Sequence, residues 1–270
     1  MEMESRYRTF RQLHRSGCFV MPNPWDVGSA RALARLGFKA LATTSAGFAW
    51  SIGRSDQQVL LEDLLAHLTA MAAAVDVPFN ADFEGGYAIE PEGVAANVSR
   101  AVATGIAGLS IEDSTGHAAD PLFERSLAIE RIRAARRAID QSGTGVVLTG
   151  RSEGFISGRP DLTETIARLV AYAEAGADCL YAPGLKSLDD IAAVIKAVAP
   201  KPVNVLVHAP FATVAQVADL GARRISVGGA LARTAWTGFL DAAQEIATSG
   251  TFSSFGKARP GAEMNGMFRS

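Results

Sequence analysis

One phrase recurs four times along the chain: the end of a helical stretch, a glycine, then a short apolar run. It reads Leu36-Gly37-Phe38-Lys39-Ala40-Leu41, Thr104-Gly105-Ile106-Ala107-Gly108-Leu109, Ala175-Gly176-Ala177-Asp178-Cys179-Leu180 and Leu220-Gly221-Ala222-Arg223-Arg224-Ile225. A glycine just past a helix takes the left-handed conformation at little cost and turns the chain back toward a sheet. Repetition of this unit predicts alternating helix and strand.

Eight strands are predicted, beginning near Cys18, Ala40, Val77, Gly108, Val146, Cys179, Val203 and Ile225. They are short, nearly continuous apolar runs, as expected of parallel strands buried on both faces. Helical spacing fills the stretches between them: 60–75, 91–104, 127–140, 162–175, 188–198 and 213–220. In 270 residues this predicts a single α/β domain, 1–270, folded as a (β/α)8 TIM-type barrel. An extra N-terminal helix, Glu4 to His14, is expected to cover the floor, and a C-terminal helical tail, Ser253 to Ser270, to leave the barrel for a neighbour or stay mobile. A doubly wound open sheet is the alternative.

Formal net charge is −2, which gives no basic footprint for nucleic acid or an acidic membrane. No apolar run has membrane-spanning length, and the N-terminus lacks the apolar stretch of a secretory signal. Cys18 and Cys179 fall inside predicted strands and read as buried hydrophobes, which suits a reducing cytoplasm.

In a barrel, the C-terminal strand ends form the active face. Three predicted strands end in charge: Asn80-Ala81-Asp82-Phe83-Glu84, Ser110-Ile111-Glu112-Asp113 and Thr149-Gly150-Arg151-Ser152-Glu153. Concentrated charge is costly unless a metal ion or charged ligand compensates it. Asp82 and Glu112 are the metal candidates, and an oxygen-only donor set points to Mg²⁺, with Mn²⁺ as second choice. Helix capping or pairing with arginine would also account for these acids. Arg151 is the candidate substrate anchor, because a guanidinium grips a carboxylate through two parallel hydrogen bonds. An ion pair with Glu112 or Glu153 is its other reading.

Other strands bring weaker signals. The turn Thr44-Ser45-Ala46-Gly47 can bind an anion. Asp56 precedes a helix and reads first as its N-cap. Val227-Gly228-Gly229-Ala230 is either a phosphate cradle or a close-packed turn. Strand seven delivers Asn204, a candidate substrate-binding residue, and His208. His117 follows strand four, and either it or His208 is a candidate general acid or base. His14 and His67 read as helix-surface residues. A Schiff-base aldolase is disfavoured, since no lysine ends a strand on this face. No cysteine lies in an active-face loop, and no Gly-x-Gly-x-x-Gly follows a strand.

Together these motifs resemble the isocitrate lyase/phosphoenolpyruvate mutase superfamily, from Asn23-Pro24-Trp25-Asp26 to about Ala232. Ser45-Ala46-Gly47 resembles its carboxylate-binding Ser-Gly segment. Asp56 matches the acid that helps hold the metal's waters. The run 80–87 resembles Asp-x-Asp-Thr-Gly-Tyr-Gly, Glu112 the metal-shell Glu, and Arg151-Ser152-Glu153 the Arg-x-Glu. The resemblance implies a Mg²⁺-dependent lyase acting beside the carboxylate of a small 2-oxo or 2-hydroxy acid through an enolate. It also implies a homo-oligomer, a tetramer or dimer, often with an exchanged C-terminal helix.

The departures are specific. Asn80 replaces the first acid of the pair and the segment gains a residue, which shifts metal duty to Asp82 with help from Glu84. Where lyases carry Lys-Lys/Arg-Cys-Gly-His, this chain has Asp113-Ser114-Thr115-Gly116-His117-Ala118-Ala119-Asp120. Gly116-His117 matches, but the proton-donating Cys is absent, which leaves His117 as the proposed proton carrier. The mutase loop's Lys and Asn are also missing, and Ala182-Pro183-Gly184 lacks the acid of the lyases. Two alternatives therefore stay open: C–P chemistry on phosphonopyruvate or phosphoenolpyruvate, and a barrel that binds an acidic metabolite without turnover.

Overall fold

All four glycines of the recurring phrase are left-handed: φ is +89° at Gly37, +89° at Gly105, +107° at Gly176 and +95° at Gly221. The computed structural model describes residues 2–269. Its elements are α1 (Glu2–Leu13), β1 (Phe19–Met21), α2 (Val27–Arg35), β2 (Leu41–Ala42), α3 (Ser45–Ser51), α4 (Leu61–Ala74), β3 (Phe79–Asp82), α5 (Pro91–Val102), β4 (Gly108–Glu112) and α6 (Arg125–Ser142). There follow β5 (Val147–Arg151), α7 (Leu162–Glu174), β6 (Cys179–Tyr181), α8 (Leu188–Val198), β7 (Val203–Leu206), α9 (Val214–Asp219), β8 (Arg224–Ser226), α10 (Ala230–Ser249) and α11 (Gly261–Gly266).

The strands form one parallel sheet in the order β1-β8-β7-β6-β5-β4-β3-β2. This order is cyclic, as a barrel requires and a doubly wound sheet does not allow. At the β1–β2 seam the Ala42 N–H donates to the Pro22 carbonyl at 3.1 Å. The Asn23 amide adds a bond to the Thr43 carbonyl at 2.8 Å. The Asn23 side-chain oxygen also accepts the Val227 and Gly228 N–H groups, both at 2.9 Å, and so ties the tops of β1 and β8.

Local chemistry starts the helices. Asp26 and Ser29 form a capping box on α2, and Thr44, Asp161, Ser187 and Thr213 cap α3, α7, α8 and α9. Each satisfies an amide that the first helical turn leaves without a partner. The apolar faces of α4 to α8 then bury against the strands, most of them in one large core, with Met71 of α4 in a smaller cluster beside Leu41 and Phe79.

Helix α1 closes the floor, with Phe10 fully buried. His14 is buried there too, against the surface position predicted for it. Its ring packs edge-on to Phe10 at 4.6 Å and Phe19 at 5.2 Å, because the helix face that plugs a barrel has no solvent side. His67 is likewise not a surface side chain: it stacks on Phe48 at 3.7 Å. The C-terminal tail contains a short 3-10 turn and α11, and it returns to its own barrel, where Arg35 of α2 donates to the Gly266 carbonyl at 3.0 Å. Among the described residues no helix is long and apolar enough to cross a membrane.

Candidate active site

Arg151, at the tip of β5, is the hub of the barrel mouth. Its Nη1 lies 3.1 Å from Asp82 Oδ1 and 3.2 Å from Glu112 Oε2, and its Nε donates to Glu153 Oε1 at 2.5 Å. Strand register explains the convergence, since Glu112 pairs with Arg151 across β4–β5 and Arg151 with Tyr181 across β5–β6. Burial pulls the guanidinium pKa down, but Glu112, then Glu153 and Asp82, more than offset it and leave it raised. Burial raises Glu112 and Glu153, with Arg151 opposing in both cases.

Asp82 is held from two sides. The Ser45 N–H donates to its Oδ2 at 3.0 Å, and its own N–H donates to Thr43 Oγ1 at 2.7 Å. Gly47 N–H is bound to Thr44 Oγ1 at 3.3 Å, so two amides of the 44–47 turn already have acceptors. Asp56 does not cap a helix: α4 starts at Leu61, with Leu60 at the cap position. It stands instead at the rim of the barrel mouth, exposed, and accepts the Gln57 N–H at 3.1 Å. Burial among its neighbours, then Asp82, raises its pKa.

Glu84 occupies a left-handed backbone position, with φ +45°, and Tyr87 another at +57°. Such strain in non-glycine residues persists where the surroundings enforce it. Here Arg131 does so. It donates to the Ala88 carbonyl at 2.5 Å, the Ile89 carbonyl at 2.6 Å and the Gly85 carbonyl, and packs 4.0 Å from the centre of the Phe123 ring. Nothing in the sequence marks Arg131, because an arginine on a helix reads as solvated. The Tyr87 hydroxyl donates to Glu84 at 3.1 Å, and burial followed by Asp82 pushes the Glu84 carboxyl up to about 7.

Two cavities open beside this cluster, and Arg151 lines only the first. One, of about 170 Å³, opens at the barrel mouth and is lined by Ser45, Ala46, Asp56, Asp82, Arg151, Tyr181, Asn204 and Arg224. The other, of about 420 Å³, lies under the loop after β4 and is lined by Glu84, Tyr87, Glu112, His117 and Arg131. Asp82 and Glu112 thus face different cavities. His117 lines the second one from an exposed loop, with its N–H on Thr115 Oγ1 at 3.0 Å. His208 is partly buried with no partner on Nδ1, and it is not among the residues lining either cavity. The Gly228 amide is taken by Asn23, and Gly229 packs on Trp50, so this segment is a close-packed turn. Asp113 is a structural acid, held by Arg168 at 3.2 Å and by the Tyr172 hydroxyl at 2.7 Å.

The donor set suits a hard divalent cation. Asp82, Glu112 and Glu153 contact the Arg151 guanidinium, with Asp56 and Glu84 nearby, and burial and mutual repulsion raise Asp56, Glu84, Glu112 and Glu153. Among the described residues no three His, Cys, Asp or Glu side chains form a closed metal cage. One or two carboxylates completed by water is the way proteins usually hold Mg²⁺.

Comparison with known proteins agrees with this geometry. The family model of phosphoenolpyruvate phosphomutase matches residues 10–247. An uncharacterized Mycobacterium tuberculosis protein is 35% identical over 222 residues, covering 82% of this chain and 81% of that one. The oxaloacetate decarboxylase of Rhodopseudomonas palustris (strain BisB5) is 33% identical over 193 residues, covering 66% of this chain and 63% of its own. The crystal structure of a candidate lyase/mutase from Burkholderia cenocepacia superposes with a TM-score of 0.97 at 45% identity, covering 100% of this chain and 98% of that one. Oxaloacetate acetylhydrolase bound to its product oxalate gives a TM-score of 0.86 at 26% identity, covering 98% and 94%. With its barrel, its Arg151 cluster and these relatives, the chain belongs to the phosphoenolpyruvate phosphomutase family and is an enzyme of the isocitrate lyase/phosphoenolpyruvate mutase superfamily.

Proposed function

We propose that the enzyme is a Mg²⁺-dependent lyase that cleaves, or in reverse forms, a C–C bond beside the carboxylate of a small 2-oxo or 2-hydroxy acid. The observation that carries this reading is the guanidinium of Arg151 set among three acids at the mouth of a cavity of about 170 Å³. That volume suits a compact dicarboxylate, and the resemblance to oxaloacetate decarboxylases and to an oxalate-bound acetylhydrolase supports the oxaloacetate class.

Arg151 Nε and Nη1 are engaged by carboxylates, which leaves Nη2, without a protein partner among the described residues, to hold the substrate carboxylate. Ser45 and Ala46 border the same space, and Asn204 lines it from β7. Asp82 and Glu112 would hold the cation directly or through water, with Asp56 and Glu84 beside them. When bound, such a cation offsets the excess negative charge and polarises the substrate's oxygen. Arg151 then stabilises the enolate left by bond cleavage, because its charge is fixed in place before the reaction. Carbon–phosphorus chemistry stays the second reading, supported by the phosphomutase family model.

A homo-oligomer is also proposed. The helix α10 buries only Ala232, while Phe239, Leu240, Ile246, Phe252, Phe255, Met264 and Phe268 are exposed along it and the tail. So many large apolar side chains left exposed on one helix and tail support an interface there. The unpaired cysteines Cys18 and Cys179 support a reducing cytoplasmic setting.

The reading is tested by supplying Mg²⁺ and a panel of 2-oxo and 2-hydroxy acids. Release of a 2-oxo acid or oxalate that depends on Arg151 is expected. Phosphate released from phosphonopyruvate would instead favour the second reading, and no product from any acid would leave a metabolite-binding barrel.

A further inference from the structure

The sequence leaves the enolate without a proton source, since the usual cysteine is absent and His117 lines the neighbouring cavity rather than the one at Arg151. The smaller cavity has its own protic wall. Glu112, Arg151, Tyr181, Asn204 and Arg224 occupy one continuous line of register across β4 to β8. The last four of these line the cavity.

At the floor end lies Arg224, which is buried and has no carboxylate in ion-pair contact among the described residues. Its partners are neutral: Nε donates to Asn204 Oδ1 at 2.8 Å, Nη2 to Thr149 Oγ1 at 3.0 Å, and Nη1 faces His14 Nε2 at 3.3 Å. A guanidinium can only donate, so Asn204 must present its oxygen to Arg224. Its amide nitrogen therefore donates to Ser226 Oγ, at 2.8 Å. With that lone pair occupied, the Ser226 hydroxyl keeps its hydrogen to donate onward, toward Tyr181 on the same cavity wall. The hydrogen bonds from Arg224 through Asn204 to Ser226 thus run the same way, and a donation from Ser226 to the phenol oxygen would leave the Tyr181 hydrogen for whatever occupies the cavity.

We propose that Tyr181 is the acid that protonates the enolate carbon, with Arg224, Asn204 and Ser226 as positioning residues that turn its O–H into the cavity. The proposal deepens the lyase reading and rests on it. When the substrate C–C bond breaks, its electron pair stays on the enolate. The Tyr181 O–H bond then breaks, a C–H bond forms at the enolate carbon, and the phenol keeps the O–H electron pair as phenolate. That phenolate lies beside Arg151, whose guanidinium carbon is 5.2 Å from the ring centre. Water returns the proton after the product leaves. Burial, opposed by Arg151, pushes the phenol up to about 12, so it carries its proton at neutral pH. Of the carboxylates of this cavity, Asp82 is taken up by the Ser45 N–H and by Arg151, and Asp56 stands exposed at the rim.

The test is Tyr181→Phe, assayed with Mg²⁺ for exchange of the pyruvate methyl hydrogens in D₂O by NMR, with oxalate affinity measured by calorimetry. A loss of about 100-fold in exchange, with oxalate affinity within about threefold, is expected from removal of one general acid. Ser226→Ala keeps the phenol but frees its orientation, and should lower exchange about tenfold with oxalate affinity unchanged; a residue with only a structural role would weaken both. Exchange in Tyr181→Phe within about threefold of wild type overturns the assignment and leaves the lyase reading intact. Parallel loss of oxalate binding also overturns it, by making Tyr181 a binding group. If the wild type binds oxalate yet neither cleaves any acid of the panel nor exchanges pyruvate, the lyase reading itself fails and removes the enolate that Tyr181 would protonate.

Discussion

Arg151 Nη1 and Asp82 Oδ1 lie 3.1 Å apart, joining the tips of β5 and β3 across the barrel mouth. One guanidinium thereby holds a carboxylate that the Ser45 amide holds from the other side. Asp82→Ala removes the acid shared by both contacts. Its Mg²⁺ affinity by calorimetry is expected to fall at least tenfold, with retention of the folded circular dichroism spectrum. An unchanged affinity rejects Asp82 as a metal-holding residue.

Arg151→Met strips the partner from Glu112 and Glu153, both buried. Removing one side of a buried ion pair typically costs about 3–5 kcal/mol. Urea denaturation should show a loss of that order. Added Mg²⁺ should raise the midpoint of the variant more than that of the wild type, because the cation relieves carboxylates that Arg151 no longer does. Equal shifts in the two proteins would argue against a cation site next to this cluster.

His14 supplies an acid-sensitive contact at the floor. Its Nδ1 lies 2.7 Å from the Phe10 carbonyl and must donate to it, so Nε2 turns its lone pair to Arg224. Burial, then Arg224, lowers its pKa from 6.5 to about 3. The folded state thus binds the proton less readily than the unfolded chain. This contribution to stability is complete above about pH 6.5 and is lost as pH falls toward about 3, at up to about 1.4 kcal/mol per pH unit. Gln can donate to the carbonyl and accept from the arginine without titrating. Urea midpoints between pH 7 and pH 4.5 should therefore fall less steeply for His14→Gln than for the wild type, and identical slopes would contradict this account.

The exposed face of α10 predicts self-association. Phe239 and Leu240 are both more than half exposed. The double change Phe239→Glu and Leu240→Glu should convert an oligomer to monomers in light scattering, with the far-UV spectrum intact. A wild type that is already monomeric would sink the oligomer proposal.

The barrel was legible because its signals are local. A left-handed glycine after a helix, as at Gly176, needs no knowledge of the rest of the chain, and each strand announces itself by apolar residues. The nearness of Arg151, Asp82, Glu112 and Glu153 was legible as well, since parallel strands of a barrel bring their tips to one rim. Asp56 misled as a cap because the sequence does not show that α4 starts only at Leu61. Tyr181, Asn204 and Arg224 form a set only through the register of β6, β7 and β8, which no residue pattern encodes. Arg131 and Arg224 escaped for a related reason: a charged residue inside an element reads as solvated until the surrounding backbone carbonyls and hydroxyls that bind it are in view.

The most direct measurement incubates purified protein with Mg²⁺ and oxaloacetate and follows products by NMR, with and without EDTA and beside Arg151→Lys. The account predicts formation of a 2-oxo acid or oxalate above the non-enzymatic background, lost on chelation and reduced at least 100-fold in the variant, whose ammonium cannot reproduce the fork of the guanidinium. Product formation indifferent to EDTA and to Arg151→Lys, or none above background from this or any other acid of the class, would contradict it.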